Sequence, residues 1–303
     1  MTPEEAFRRR LESLNREPLP NEVDAVAFDR RTLPERRRRR RALAPVPSRP
    51  THVVKPIPGL LRQGEVVANA AGEHVCIRID LEKLWPGGEH LVTQRHRACA
   101  AEAAHEVGND VDKRNGDANL ASFVEAYPHE VVLLDLETCG LAGSALFLVG
   151  LLRSIDQRPT VELLLARNYA EERAVLASLW QRIRASTVLA TFNGKSFDWP
   201  MVLDRSTRHL LFRNSRPPEP YHVDLLHAAR RRWKNQLPDC RLQTIEQLVC
   251  GRRRGDVIPG AQIPAAYQQF VRTGFEREME SILLHNAVDL VTLLDIAMRL
   301  AGP

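Results

Sequence analysis

Along the second half of the chain, apolar positions come in short unbroken runs, each ending on a polar cluster. Such runs, bounded by turn residues, read as buried strands. They predict strands over residues 130–136, 146–154 and 160–166. An amphipathic stretch over 170–185 predicts a helix, a run over 187–192 a fourth strand, and helices follow to the end of the chain. Three strands joined by short links form an antiparallel meander, whereas a strand reached through a helical crossover lies parallel. The expected fold is α/β, a mixed sheet flanked by helices over residues 121–303, with no internal repeat.

Residues 61–120 carry a different pattern. In "EVVANAAGEHVCIRIDL", Val75, Ile77 and Ile79 share one face and Cys76, Arg78 and Asp80 the other. Alternation followed by the turn "WPGGEH" predicts a small β-element lying against the main domain. "AEAAHEVGNDVDKRNGDAN" is polar and punctuated by Gly and Asn, which predicts a spacer after a helical turn or two. Residues 1–60 open with a short amphipathic helix. Thr2 caps it, Pro3 suits its first turn, Glu5 closes a capping box, and Phe7, Leu11 and Leu14 share a face. Six arginines, Arg36 to Arg41, then stand among repeated prolines. That composition buries too little apolar surface to offset ordering entropy, so the segment is expected to be a disordered arm or linker. The arginine run reads equally as a solvated spacer and as a phosphate-contacting arm.

Composition adds three constraints. The formal net charge of +5 favours polyanionic partners. No apolar run approaches the roughly 18 residues of a membrane span, and the N-terminus lacks the apolar core of a secretory signal. Five scattered cysteines without a CxxC pair read as reduced thiols in the cytoplasm, with neither a disulfide framework nor a zinc site.

The candidate chemistry lies in carboxylates at the ends of apolar elements. In "VVLLDLETCGL", Asp135 and Glu137 leave the same face of a strand, about 7 Å apart along it. They read either as a strand end emerging into solvent or as a pair that a divalent cation relieves. In "TFNGKSFDWPMVLDR", a strand runs into the turn at Asn193-Gly194, and Ser196 caps a helix bearing Asp198 in its first turn. Phe197 and Trp199 flank Asp198, which predicts a fixed and partly dry acid. In "EMESILLHNAVDLVTLLDIAMRL", apolar residues cover most of a helix on which His285 and Asp289 face the same way. Four convergent acids suit Mg²⁺ or Mn²⁺, and two such ions about 4 Å apart clamp the oxygens of a phosphodiester under cleavage. Asp224 reads as a helix N-terminal acid or a support for the site. "RRRWK" and "GRRRGD" read as strand-tracking surface or as solvated basic faces. His222 and His227 suggest only a helix edge.

"DLETCGL", "TFNGKSFD" and "HNAVD" resemble the three motifs of the DEDD (DnaQ-like) exonucleases on a ribonuclease H-like fold. "TFNGKSFDWP", "HVDLLHAARRRWK", "CRLQTIEQ", "DVIPGAQIPAAY" and "LLHNAVDLVTLL" are similar to the YprB-type ribonuclease H-like domain, over about residues 130–300. The resemblance implies two Mg²⁺ or Mn²⁺ ions held by Asp135, Glu137, Asp198 and Asp289, with His285 orienting or deprotonating the attacking water. It also implies substrate contacts from Thr138, Asn193, Lys195 and Phe197, and a single-stranded RNA or DNA substrate cut from its 3′ end. Cys139 stands where the family more often has Thr, and His285 lies four residues before Asp289, a spacing typical of members with Tyr there. A structure-specific endonuclease on the same fold and a non-catalytic nucleic-acid-binding module are the alternatives. Clustered acids near phosphates weigh against the latter.

Overall fold

The computed structural model describes residues 52–106, 118–140, 143–255 and 258–302. The expected N-terminal helix, the arginine run and most of the expected spacer lie outside these residues.

The apolar run "VVLL" opens β4 (Val131–Thr138) and is buried, while Asp135 to Thr138 emerge at its end. β5 (Leu146–Ile155) and β6 (Arg158–Leu165) complete the expected antiparallel meander. Asp156 and Gln157, at φ 49° and 66°, form the tight link between them. The expected helix over 170–185 is shorter: a 3₁₀ turn at Tyr169–Glu171 leads into α4 (Glu172–Trp180). β7 (Val188–Thr191) then pairs parallel to β4, as the crossover requires. β8 (Tyr221–Asp224) pairs parallel to β7 and was not expected. Only Val223 of its four residues is buried, so it carries no readable period.

β2 (Glu65–Asn69) and β3 (Gly72–Asp80) form the alternating hairpin. β3 hydrogen-bonds to β6, giving one seven-stranded sheet ordered β2-β3-β6-β5-β4-β7-β8. The hairpin expected as a separate element against the main domain is instead the edge of the same sheet. After α1 (Leu81–Leu84), the expected helical turn or two is α2 (Gly88–Glu106), a helix of 19 residues. α3 (Ala118–Ala126) precedes β4.

Downstream lie α5 (Asp198–Arg208), α6 (Leu225–Trp233), α7 (Leu242–Leu248), α8 (Ile263–Thr273) and α9 (Glu276–Ala301). α9 packs against β4 and β5 and is also touched by α2, α3, α6 and α8. By length and composition α9 is apolar enough to cross a membrane, contrary to expectation. Its apolar window is 94% buried inside the protein, so that apolarity builds the core. A short strand, β9 (Arg252–Arg254), pairs parallel with β1 (His52–Val54) in a separate two-stranded sheet.

A buried carboxylate ties one side of the large sheet together. Glu162 of β6 accepts from Arg153 of β5 at 2.6 Å, from Arg182 at 3.0 Å and from Arg78 of β3 at 3.2 Å. Burial alone would raise this carboxyl, but hydrogen bonds from Arg182 and Arg153 outweigh it and lower it to about 2. Glu162→Gln is expected to cost about 3 kcal/mol at neutral pH. A carboxylate lowered in the folded state contributes stability above its ordinary value near 4.5 and loses it as pH falls toward 2. Urea unfolding should therefore show a gap between wild type and variant at pH 7 that narrows below pH 4.5. A gap that stays constant would assign the stabilisation to packing.

Candidate active site

Asp135 and Glu137 stand where β4 leaves the core, and the register with β5 shifts between Glu137 and Thr138. Directly opposite Asp135 on β5 is Gly150. A Cβ there would stand 1.7 Å from Asn286 Oδ1 and 2.9 Å from Leu290 Cδ1. The missing side chain thus admits Asn286, which is fully buried and donates from Nδ2 to Asp135 Oδ2 at 2.8 Å. Sequence reasoning missed Asn286. Two signals pointed to it: an Asn inside an otherwise apolar helix needs a partner, and a Gly inside a strand marks a close approach.

Asp198 is set by the turn after β7. Asn193 adopts φ 67°, and a Cβ at Gly194 would meet Thr191 at 2.5 Å and Asp198 Oδ2 at 2.8 Å. Asp224, at the end of β8, holds this turn by accepting the Asn193 N–H at 2.8 Å and the Lys195 N–H at 3.2 Å. It also caps α6, accepting the Leu226 N–H at 3.0 Å, so both readings of Asp224 apply. The expected bracketing of Asp198 by two rings is half realised. Trp199 is partly buried, with its ring centroid 5.4 Å from that of Trp180, whereas Phe197 is 67% exposed. Exposed Lys195 opens onto a cavity of about 60 Å³ also lined by Asn119, His227 and Arg231. Thr138 Oγ1 donates to the Gly140 carbonyl at 2.7 Å.

On α9, His285 Nε2 lies 3.2 Å from Asp289 Oδ2, and His285 Nδ1 lies 3.2 Å from the Ile258 carbonyl. Both ring nitrogens face acceptors, which calls for two donors and hence the imidazolium. Burial would lower the His285 pKa, but the hydrogen bond and charge of Asp289 outweigh it and raise it. The other oxygen of Asp289 accepts from Arg254, whose Nε and Nη2 also donate to Glu246 at 3.0 and 2.7 Å. Neither Arg254 nor Glu246 stood among the expected site residues, because they meet Asp289 only through the fold. The "GRRRGD" cluster is therefore not strand-tracking surface. Arg252 is 1% exposed, stacked 4.7 Å from the Trp85 ring centroid and bonded to Thr292, and only Arg253 faces solvent. Arg230 to Arg232 and Lys234 are exposed, so "RRRWK" remains a basic face.

The cluster is short of positive charge. Burial, then the charges of Asp289, Glu137 and Asp198, push Asp135 well above the ordinary carboxylate range. Burial, with Asp289 and Asp198 adding to it and His285 opposing, raises Glu137 to about 8. Asp198 is raised to about 7, by burial first and by Asp224. Burial would raise Asp289 too, but Arg254 and His285 outweigh it and hold that carboxyl below its ordinary value. Among the described residues, no three His, Cys, Asp or Glu side chains stand in ligating positions around one point. Both oxygens of Asp289 are already committed, to Arg254 and to His285. The donor set nevertheless fits a hard divalent cation: among the described residues, Asp135, Glu137 and Asp198 are oxygen donors without a cationic hydrogen-bond partner, and a cation among them relieves their repulsion.

An antiparallel meander running into parallel strands, with acids gathered where β4 ends, defines a class. A family model described as the RNase_H superfamily matches residues 132–301, and the chain belongs to the ribonuclease H superfamily. It is also 35% identical over 218 residues to the uncharacterized protein YprB of Bacillus subtilis (strain 168). That alignment covers 70% of this chain and 52% of the relative, so the chain spans about half the length of the protein it matches. Membership points to a nuclease-type function on nucleic acid, in a class that generally uses divalent metal ions.

Two outcomes follow from this geometry. Gly150→Ala should destabilise by about 1–3 kcal/mol through overpacking, with Asn286 forced off Asp135. Thermal unfolding of Gly150→Ala beside Asn286→Ala checks this, since the first substitution should cost less once the second has made room. A raised carboxyl holds its proton in the folded state at pH values where the unfolded chain has lost it, so stability falls as pH rises through that window. The metal-free protein should lose stability between about pH 4.5 and 8, and Glu137→Gln should flatten that fall by roughly 1–3 kcal/mol. A thermal-unfolding series in chelator across this range measures both.

Proposed function

We propose that the protein is a nuclease that hydrolyses single-stranded RNA or DNA from the 3′ end, with two Mg²⁺ or Mn²⁺ ions held by Asp135, Glu137, Asp198 and Asp289. The observation that carries this reading is the electrostatic one: four acids from three separate elements gather at the C-terminal end of β4, three of them with raised carboxyl pKa values. Divalent ions bound there supply Lewis-acid stabilisation of the charge that develops on the phosphate. Asn286 holds one oxygen of Asp135 and so fixes that side chain's rotamer. The exposed ring of Phe197, next to Asp198, offers a stacking face for an unpaired base. Lys195 and Arg231, which line the same cavity, offer positive charge along the path the strand takes from there. His285, committed to Ile258 and Asp289, serves first to orient Asp289. It accepts a proton from water only after losing its own.

The test uses 5′-labelled RNA and DNA strands with free or blocked 3′ ends, with Mn²⁺ or chelator. A descending ladder that needs both Mn²⁺ and a free 3′ end is expected. Asp135→Asn should abolish it while leaving stability within about 2 kcal/mol, since a repelling charge is removed. Internal cuts in blocked strands would instead indicate an endonuclease. Tight strand binding without cleavage under any condition would return the domain to a binding module.

A further inference from the structure

Glu246, Arg254 and Asp289 form a buried chain of charges for which neither the metal ligands nor the substrate surface accounts. The Arg254 side chain is 9% exposed, and Glu246 is fully buried. Its guanidinium gives the Nε and Nη2 edge to Glu246, at 3.0 and 2.7 Å. Thr292 Oγ1 donates to the same Glu246 carboxylate at 2.8 Å and accepts from Arg252 Nη1 at 3.0 Å. Nη2 also donates to Asp289 Oδ1, so the edge bearing Nη1 and Nη2 is the one turned toward Asp289. Nη1, on that edge, is buried and has no hydrogen-bond partner among the described residues. The strand carrying Arg254 is itself held, because Arg254 stands opposite Val54 in the pairing of β9 with β1. Fold stability alone does not explain this arrangement. Replacing buried ion pairs by apolar groups is often neutral or stabilising.

We propose that Arg254 is a positioning residue: held by Glu246, which Thr292 fixes in turn, its planar fork fixes the carboxylate of Asp289. Its consequence for catalysis rests on the nuclease reading, whereas the contact with Asp289 does not. A carboxylate held from one side by Arg254 and from the other by His285 keeps a single orientation toward its ion. Partners of this kind typically contribute tenfold to a hundredfold in metal affinity or activity.

The experiment uses the full chain and titrates Mn²⁺ by calorimetry. Arg254→Met is expected to weaken Mn²⁺ binding about 10- to 100-fold and to lower turnover while leaving the KM for the strand unchanged. Arg254→Lys should recover less than about tenfold, because an ammonium cannot reproduce the fork that spans two carboxylates. In an Asp289→Asn background, Arg254→Met should have almost no further effect on Mn²⁺ binding. Should Arg254→Met fail to fold around the unpaired Glu246, the double variant Arg254→Met with Glu246→Leu removes that stranded charge and takes its place. Unchanged or tighter Mn²⁺ binding in Arg254→Met, full rescue by Lys, or equal effects with and without Asp289 would overturn the proposal. If the wild type binds no Mn²⁺, the nuclease reading fails first. Thermal unfolding of the Arg254→Met and Asp289→Asn cycle then decides the contact: non-additive Tm shifts support it and additive shifts overturn it.

Discussion

Carboxylates brought together in a partly dry cleft repel one another, and none can ionise there without a compensating charge. The local peculiarities of this molecule follow from that constraint. Gly150 lacks a side chain because Asn286 must reach Asp135 across β5. Asp224 turns its oxygens to the backbone of Asn193 and Lys195, and so holds the turn that delivers Asp198. Arg254 and His285 grip Asp289 from opposite sides. With Glu246 sharing Arg254, those two cations cannot balance the acids, and the remaining deficit falls on Asp135, Glu137 and Asp198.

Topology explains how residues far apart in sequence meet. β4, β7 and β8 run parallel, so their C-terminal ends lie at the same end of the sheet. Asp135 and Glu137 leave the first strand there, the turn to Asp198 leaves the second, and Asp224 ends the third. α9 crosses behind β4 and β5 and supplies Asn286 and Asp289 from one buried face. β9 and β1 add a smaller sheet whose role at the site is to place Arg254.

The central meander and the parallel crossover were legible because their runs are apolar and bounded by turn residues. Asp135, Glu137, Asp198, His285 and Asp289 stood out because each interrupts or ends such a run. β8 was not legible, since one buried valine makes no period. The hairpin of β2 and β3 was read correctly as strands but not as a sheet edge, because pairing with β6 is a long-range fact. The arginines of β9 looked like surface, as runs of charge usually are. The burial of Arg252 and Arg254 depends on Glu246, Thr292 and Asp295, partners that no local pattern associates with them. Gly150 and Asn286 each carried a local signal that was not read, and only the register of β5 against β4 joins them.

The central claim is that a divalent cation supplies the charge this cluster lacks. The direct measurement is the number of protons released when Mn²⁺ binds at pH 7, obtained by calorimetry in buffers of different ionisation enthalpy. Glu137 is raised to about 8, so at pH 7 it holds a proton that an entering cation must displace. The account expects net release of at least one proton per molecule, falling as pH rises above 8 and diminished in Glu137→Gln. Mn²⁺ binding without proton release, or release unaltered in that variant, would contradict it.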